Sequence, residues 1–453
     1  MKIIVMGCGK VGKAIIDSLV REKHNIVAID HNPKVVELVT NTYDVMAVCG
    51  RATSIDVLQE AGVAQADLFV SVTQNDEVNM LACFLARGLG AKHTIARIRE
   101  SNYDDDDLRF VSKQLGISIA LNPERLTAES IFNRLQLPAS VNVDTFAGKK
   151  IQLLETTLCD ESKIVGLTLA QIRQKCNVQF VVCAVKRGNQ VHVPTGQFVL
   201  QVGDKVAFMV KRNDGNKFLK AIGLVQKHTH DIIILGASTI AYYLAKLLVD
   251  NNYGVKVIEK DPSRCAEISQ TLPSSTTVIC GDGSDHELLL EEGIKTTDAL
   301  VSLTGRDEDN IIVALYAMNQ NVPKVVPKVN DTNKYAMVEK LGLPTPVNTQ
   351  KIVADIVRRY ARALNNPRGS SIETIYTLMD GHAEALEFVV LSHCKLIGEK
   401  LKDLRIKPNF IIAGIIRGKE TIIPTGEDAL QENDHVIVVA ADKQLLDLED
   451  MLR

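Results

Sequence analysis

The feature that most constrains this chain is an internal repeat, because its second half matches its first at a spacing of about 230 residues. Gly7 and Gly236 each follow four apolar residues and lie 229 positions apart, as do Asp30 and Glu259. Further identities at a spacing of 231 are Gly50 and Gly281, Asp67 and Asp298, Thr73 and Thr304, and Asn79 and Asn310. A chain of 453 residues is too long for one core, so the repeat predicts two halves that fold alike.

Each half begins with short Val/Ile-rich strands that alternate with helical stretches. In the first half these strands are predicted near 2–6, 26–30, 45–48, 68–72 and 94–98. Such alternation indicates right-handed βαβ crossovers, so the fold class is α/β with a doubly wound, Rossmann-like parallel sheet in each half.

Each half ends in a small α+β module, in which a strand, a turn and helix, a hairpin and a last strand follow one another. A helical link precedes each module, so the tandem duplication has six parts. The predicted boundaries are 1–120 for the first dinucleotide-binding domain, 121–147 for its link, 148–227 for the first small module, 228–346 for the second dinucleotide-binding domain, 347–383 for its link, and 384–453 for the second small module.

Composition excludes several classes of function. The net charge of −3 and the absence of a basic motif argue against a nucleic-acid partner. Nine scattered cysteines without a C-x-x-C pair favour a reducing compartment. No uncharged apolar run approaches the roughly 18 residues that span a bilayer, so any membrane role is expected to need a partner.

A glycine-rich turn follows the first strand and has the G-x-G-x-x-G pattern of dinucleotide-binding folds. Its glycines allow a tight turn, and the helix that follows offers free N–H groups to phosphate. Asp30, eighteen positions later, suits a ribose 2′-hydroxyl and disfavours a 2′-phosphate. The alternative is a turn that only packs helix on sheet. The motif residues are Gly7, Cys8, Gly9, Lys10, Val11 and Gly12.

Other candidates lie where later strands end, because ligands of open α/β sheets bind at the carboxyl ends of the strands. Arg97 and Arg99 fall on one face of the fifth strand and suit phosphate, or alternatively ion pairs with Asp104–Asp107. The remaining candidates of this crevice are Arg51, Ala52, Thr73, Gln74, Asn75 and Glu77.

The second half departs from the glycine pattern. Serine replaces the second glycine and adds a side chain where a pyrophosphate should approach, so this site is expected to be weakened or altered. Its candidate residues are Gly236, Ala237, Ser238, Thr239, Ile240, Glu259, Asp282, Thr304 and Lys328.

Together these motifs, with TQNDEVN, LTGRDEDN and two PTG hairpins, resemble tandem regulator-of-potassium-conductance (RCK) domains, as in the regulatory subunits of Trk-type potassium uptake. The resemblance implies a cytoplasmic protein, peripheral to the inner face of the membrane, that forms a homo-oligomeric ring, dimeric or tetrameric, under an integral-membrane potassium channel. It implies binding of NAD, NADH, ATP or ADP. Two departures are Arg51, where the family often has an acidic residue, and the altered second glycine motif.

The competing interpretation is an NAD-dependent oxidoreductase. That activity needs an acid or base beside the nicotinamide, and the small modules offer no such constellation. We therefore expect a regulatory protein rather than an enzyme. No metal site is expected either, because His228 and His230 lack a clustered third ligand.

Overall fold

The computed structural model divides the chain into two compact units, and each unit takes one segment from each half. The first unit contains residues 1–132 and 229–361, and the second contains residues 133–228 and 362–453. The structure describes residues 1–51, 53–99, 105–136, 141–146, 150–160, 162–188, 190–224, 229–331, 334, 338, 346–364, 372–379, 382–441, 445 and 447–453.

The first segment forms the predicted parallel sheet, in the order β3-β2-β1-β4-β5-β6. Its strands are β1 Lys2–Met6, β2 Asn25–Asp30, β3 Met46–Cys49, β4 Leu68–Ser71, β5 His93–Arg97 and β6 Ile119–Leu121. Its helices are α1 Lys10–Arg21, α2 Pro33–Tyr43, α3 Ile55–Glu60, α4 Asp76–Gly88, α5 Asp105–Leu115 and α6 Pro123–Leu135. The reversal of strand order between β1 and β4 places a crevice at the carboxyl ends of these strands.

The first small module is an antiparallel sheet in the order β10-β9-β11-β8-β7. Its strands are β7 Val141–Phe146, β8 Ile151–Thr157, β9 Phe180–Arg187, β10 Gln190–His192 and β11 Lys205–Lys211. Its helices are α7 Leu169–Lys175, with a capping box at Thr168, and α8 Gly215–Ala221.

The second half repeats the parallel sheet, in the order β14-β13-β12-β15-β16. Its strands are β12 Asp231–Leu235, β13 Gly254–Glu259, β14 Thr276–Cys280, β15 Ala299–Ser302 and β16 Lys324–Pro327. Its helices are α9 Thr239–Asp250, α10 Pro262–Thr271, α11 His286–Glu291, α12 Asp307–Asn319 and α13 Thr349–Leu364.

The second small module repeats the first, in the order β17-β18-β21-β19-β20. Its strands are β17 Ile372–Leu378, β18 Ala383–Val389, β19 Phe410–Arg417, β20 Glu420–Ile422 and β21 His435–Ala441. The α/β fold class, with doubly wound sheets and small α+β modules in tandem, is therefore confirmed.

The segments predicted as helical links are only partly helical. β7 lies within 121–147 and β17 lies within 347–383, and each pairs with the strand that follows it. Because each of these strands forms by pairing with a neighbouring strand, that pairing decides its conformation more than local propensity does.

Each unit has its own core of buried apolar side chains. In the first unit, Ile4 and Phe69 lie in the core of the first sheet, and Ile233 and Leu300 lie in that of the second. In the second unit, one cluster joins both small modules, for example through Leu153 of β8 and apolar residues of β18 and β21. In the second unit, the small modules of the two halves thus bury apolar faces against each other.

Candidate functional site

The glycine turn between β1 and α1 has the shape that the motif predicts. Gly7 has a φ of +90°, and a Cβ there would lie 2.8 Å from the Thr73 nitrogen. A Cβ on Gly12 would lie 1.9 Å from the Gly7 carbonyl oxygen, so Gly12 brings helix and turn together. A Cβ on Gly9 would meet nothing within 4 Å, so this glycine leaves open space in front of the helix.

The amino end of α1 is built to receive an acceptor. Gly9 is the N-cap residue and has no side chain, so no side-chain cap satisfies the first-turn N–H groups. These groups and the positive end of the helix dipole favour an anion here. Lys10, the first residue of the helix, adds a full positive charge beside them.

Asp30 is held in one orientation at the end of β2. Its Oδ2 accepts a hydrogen bond from the Cys8 N–H at 2.8 Å, and its Oδ1 accepts one from the Asn32 N–H at 2.9 Å. Its side chain is only 10% exposed, and His31 Nδ1 lies 3.3 Å from Oδ1. The carboxylate is therefore preorganised at the position that a ribose hydroxyl takes in this class of fold.

Cys8 contributes its backbone to the site and not its thiol. The side chain is buried, and its thiol donates to the Ile29 carbonyl oxygen at 3.6 Å. Burial, and next the charge of Asp30, raise the pKa of Cys8 to about 12. The thiol therefore stays neutral and unreactive at physiological pH.

Asn79 organises the crevice, although the sequence marked it only as a repeated residue. It is fully buried on α4. Its Oδ1 accepts hydrogen bonds from Ser71 Oγ at 2.8 Å and from the Thr73 nitrogen at 2.8 Å. Its Nδ2 donates to the carbonyl oxygens of Thr73 at 3.2 Å and Arg97 at 2.9 Å. One amide therefore ties together the ends of β4 and β5.

Arg97, the last residue of β5, and Arg99, two residues after it, pair with residues that were not proposed as their partners. Arg97 lies 3.6 Å from Glu124 of α6, and Arg99 lies 3.8 Å from Asp76 of α4. Asp104, an alternative partner, lies outside the described residues. Burial, and next the charge of Arg99, lower the pKa of Arg97. A further anion beside them would offset the repulsion between the two guanidinium groups.

Several buried polar atoms in this crevice have no hydrogen-bond partner among the described residues. They are Arg97 Nε, Arg99 Nε, Glu124 Oε2 and Asn330 Oδ1. Unpaired buried donors and acceptors are costly, so their concentration at one place indicates room for a polar ligand. Glu124 and Asn330 were not singled out in the sequence, because neither belongs to a glycine motif or ends a predicted strand.

A cavity of about 1100 Å³ joins these features, which is enough for a nucleotide or dinucleotide. The predicted residues that line it are Gly7, Gly9, Lys10, Val11, Asp30, Thr73, Gln74, Asn75, Arg97, Arg99, Ile240 and Lys328. The second half closes the cavity, and besides Ile240 and Lys328 it supplies Asn330, Thr349 and Gln350. Glu77 and Arg51 are exposed near the crevice, and Ala52 lies outside the described residues.

Lys328 is the position of the second half that repeats Arg97, and it is 9% exposed. Its Nζ donates to the Leu303 carbonyl oxygen at 3.3 Å. Burial lowers its pKa, while the charges of Asp307 and Glu124 act in the opposite direction. A buried ammonium group that faces the first crevice gains from an anionic ligand there.

The amino end of α9 in the second half is capped by the protein itself. Ser238, in the place of Gly9, accepts a hydrogen bond from the Ala241 N–H at 3.3 Å. The Ala237 N–H donates to Glu259 Oε2 at 2.6 Å, and Arg264 donates to the Ala237 carbonyl oxygen at 2.7 Å. Gly236 keeps the left-handed turn at φ +94°, and Thr239 begins the helix.

Other polar residues of the second crevice are also paired within the protein. Lys260 lies 2.6 Å from Asp282, and Ser284 Oγ donates to the same carboxylate at 2.6 Å. These hydrogen bonds hold the pKa of Asp282 well below its usual range. Thr304 Oγ1 donates to Asn310 at 2.8 Å, which repeats the arrangement of Thr73 and Asn79. The Ser238 cap and the Lys260–Asp282 pair therefore distinguish the second crevice from the first, since the contacts of Glu259 and Thr304 repeat those of Asp30 and Thr73.

Comparison with known protein families now identifies the chain. The TrkA-N domain matches residues 3–123 and 232–349, and the TrkA-C domain matches residues 153–223 and 385–453. The chain belongs to the TrkA family. Its tandem organisation therefore follows from the family as well as from the internal repeat.

Full-length relatives carry the same name. A Trk system potassium uptake protein TrkA homolog of Archaeoglobus fulgidus is 31% identical over 100% of both chains. The Trk system potassium uptake protein TrkA of Vibrio alginolyticus is 30% identical over 98% of this chain and 96% of its own. Both relatives are named as potassium uptake proteins, which favours a role in potassium uptake over the oxidoreductase interpretation.

A solved structure has the same fold. The GsuK channel bound to NAD is 16% identical and superposes with a TM-score of 0.62, over 97% of this chain and 76% of that chain.

In the part of this chain that the structure describes, no helix has the length and apolarity needed to span a bilayer. Within the same residues, no three His, Cys, Asp or Glu side chains are arranged to hold a metal ion. His228 lies outside them.

Proposed function

We propose that this chain is a regulatory subunit that binds an adenine nucleotide or NAD(H) in the first-half cavity and gates a transmembrane potassium channel. The observation that carries the proposal is the uncapped amino end of α1, which lies beside the oriented Asp30 in one cavity. Arg97 and Arg99, which are half-buried, add positive charge near the same space. This combination suits a ribose and a phosphate together.

The class of ligand is supported by charge and by a relative of the same fold. Asp30 disfavours a 2′-phosphate, so NAD(H), ADP and ATP fit better than NADP. The GsuK channel has been solved bound to NAD, which shows that this fold accommodates a dinucleotide in that protein. ADP, ATP and NADH remain alternatives for this chain, since each offers an adenine ribose and a phosphate.

We expect the first half to bind nucleotide more tightly than the second. Gly9 leaves its helix end open, whereas Ser238 fills the equivalent place and pairs one of the N–H groups. Asp282 is likewise paired within the protein, with Lys260. A ligand in the second crevice would have to displace these contacts.

Helix α13 is a route by which the ligand can influence the assembly. Thr349 and Gln350 at its start line the cavity, and Tyr360 near its end hydrogen-bonds His93 of β5 at 3.0 Å. Arg358 of the same helix lies 3.7 Å from Glu22. A ligand that favours one placement of α13 therefore favours one arrangement of the two halves.

Repeated apolar faces support a homo-oligomeric ring. Leu81 and Phe84 of α4 are 47% and 49% exposed, and their repeats Ile312 and Leu315 of α12 are 63% and 37% exposed. Exposed apolar side chains at equivalent places on two helices suit contacts between subunits. We place this ring in the cytoplasm, peripheral to the membrane beneath an integral-membrane Trk-type channel subunit.

Potassium flux tests the proposal directly. Liposomes that contain the channel subunit are assayed with and without this protein, across ADP, ATP and NADH. We expect flux to respond to nucleotide only when the protein is present. The double variant Lys10→Ala, Asp30→Ala should lose both nucleotide binding and the response, while Lys246→Ala, on the surface of α9, serves as the matched control. A response that survives loss of binding would exclude the first-half cavity as the sensor.

A further inference from the structure

We propose that Cys265 and Cys280 form an oxidisable thiol pair that closes to a disulfide at the edge of the second crevice. Cys265 lies in the first turn of α10, and Cys280 ends β14. Cys280 is in register with Glu259 of β13, and the Cys265 thiol donates to the Glu259 carbonyl oxygen at 3.3 Å. The Gly281 N–H, next in the chain after Cys280, donates to the same carbonyl oxygen at 2.8 Å, so both cysteines adjoin one backbone group.

A disulfide needs Cβ atoms about 3.5–4.5 Å apart, so we expect closure to bring the two side chains together beside the Glu259 carbonyl group. Cys280 is exposed, whereas Cys265 is 8% exposed. An oxidant from solution therefore meets Cys280 first. Cys265 is then the neighbouring group that completes the bridge.

Glutathione disulfide represents the chemical class of the oxidant. The Cys280 thiolate attacks one of its sulfurs, the sulfur–sulfur bond breaks, and one glutathione leaves as the thiol. The Cys265 thiolate then attacks the Cys280 sulfur of the mixed disulfide and releases the second glutathione. Two protein thiols are oxidised to one disulfide, one glutathione disulfide is reduced to two thiols, and both protons end on glutathione.

The buried thiol sets the pH dependence of the second step. Burial, followed by the neighbouring Cys280 thiol and the charges of Glu259 and Asp261, raises the pKa of Cys265 to about 11. Below its pKa the thiolate fraction rises tenfold per pH unit, so closure should accelerate between pH 7 and 9. Once the Cys280 sulfur is part of the mixed disulfide, that thiol no longer raises the pKa of Cys265. More of the Cys265 thiolate is then present for the second attack.

The first half contains a natural control. Cys49 is exposed at the end of β3, in register with Asp30, as Cys280 is with Glu259. The helix position that repeats Cys265 is Val36 of α2. Cys49 can therefore attack glutathione disulfide but has no second thiol on the helix beside it. Its reaction should end at the mixed disulfide with glutathione.

The experiment treats the full chain with glutathione disulfide, alkylates the remaining thiols, and maps the cysteines by mass spectrometry after digestion. In the wild type we expect a peptide in which Cys265 and Cys280 are linked, at least tenfold more abundant than the glutathione adduct of Cys280. C265S should reverse that ratio. V36C should create a linkage to Cys49, and dithiothreitol should reverse every product.

Two results would overturn the proposal. One is a stable glutathione adduct on Cys280 in the wild type, with Cys265 still free to be alkylated after denaturation. The other is a linkage of either residue to a different cysteine in the folded protein. Circular dichroism checks the fold of C265S, and C280S provides a second variant, in which buried Cys265 should take up no glutathione.

Discussion

Replacing Gly9 by serine should separate ligand binding from folding. A Cβ at Gly9 meets nothing within 4 Å, and the residue has φ −68° and ψ −164°, which any amino acid can adopt. Ser238 already occupies the equivalent place in the second half with φ −79° and ψ 165°. The unfolding free energy of Gly9→Ser should therefore stay within a few tenths of a kcal/mol of the wild type.

Ligand binding should fall markedly in the same variant. The new hydroxyl would accept the hydrogen bond of the Gly12 N–H, as Ser238 accepts that of Ala241 at 3.3 Å. A hydrogen bond to a charged group contributes about 1.5–3 kcal/mol, and 1.4 kcal/mol is tenfold in affinity. We therefore expect about 10- to 100-fold weaker binding of ADP, ATP and NADH.

Calorimetric titration of the full chain measures the affinity, and urea unfolding without ligand measures the stability. Ser238→Gly is the reciprocal control, which should leave the first affinity unchanged and expose the helix end of the second half. If Gly9→Ser folds normally and binds with wild-type affinity, the phosphate does not sit on the amino end of α1. A loss of folded structure would contradict the open space at Gly9.

Three further predictions address single residues. Asp30→Ala should weaken nucleotide binding by about 1–3 kcal/mol in calorimetry, while Glu259→Ala, whose carboxylate is paired within the second half, should not affect the first site. Asn79→Ala should lower the unfolding free energy by about 2–3 kcal/mol in urea titrations, because it leaves buried partners unpaired; a neutral effect would contradict the network. Burial lowers the pKa of Lys324 to about 8 from 10.5, so the unfolded chain binds more protons between these values and stability should rise with pH there. Relative to Lys324→Met, the wild type should gain up to about 2 kcal/mol from pH 8 to 10, and parallel pH profiles would refute this.

Much of the fold follows from local patterns in the sequence. The glycine turns, the alternation of strands and helices, and the repeat at about 230 residues predict two doubly wound parallel sheets with right-handed crossovers. Strands β7 and β17 were not predicted from the sequence, because they are edge strands that form by pairing with one neighbouring strand. Strand β6, three residues long, carries too little pattern to stand out.

The sequence by itself determined the residues of the glycine turn and the acidic partner Asp30, because their spacing is local and their chemistry is specific. Only the tertiary structure decided that Lys328 and Gln350 close the cavity of the first half, and that Glu124 pairs with Arg97. These neighbours belong to elements that come into contact only because of how the two sheets pack. Such packing produces no periodic pattern in the sequence. The same holds for Ser238, since only the geometry shows that its hydroxyl caps the helix where Gly9 leaves one open.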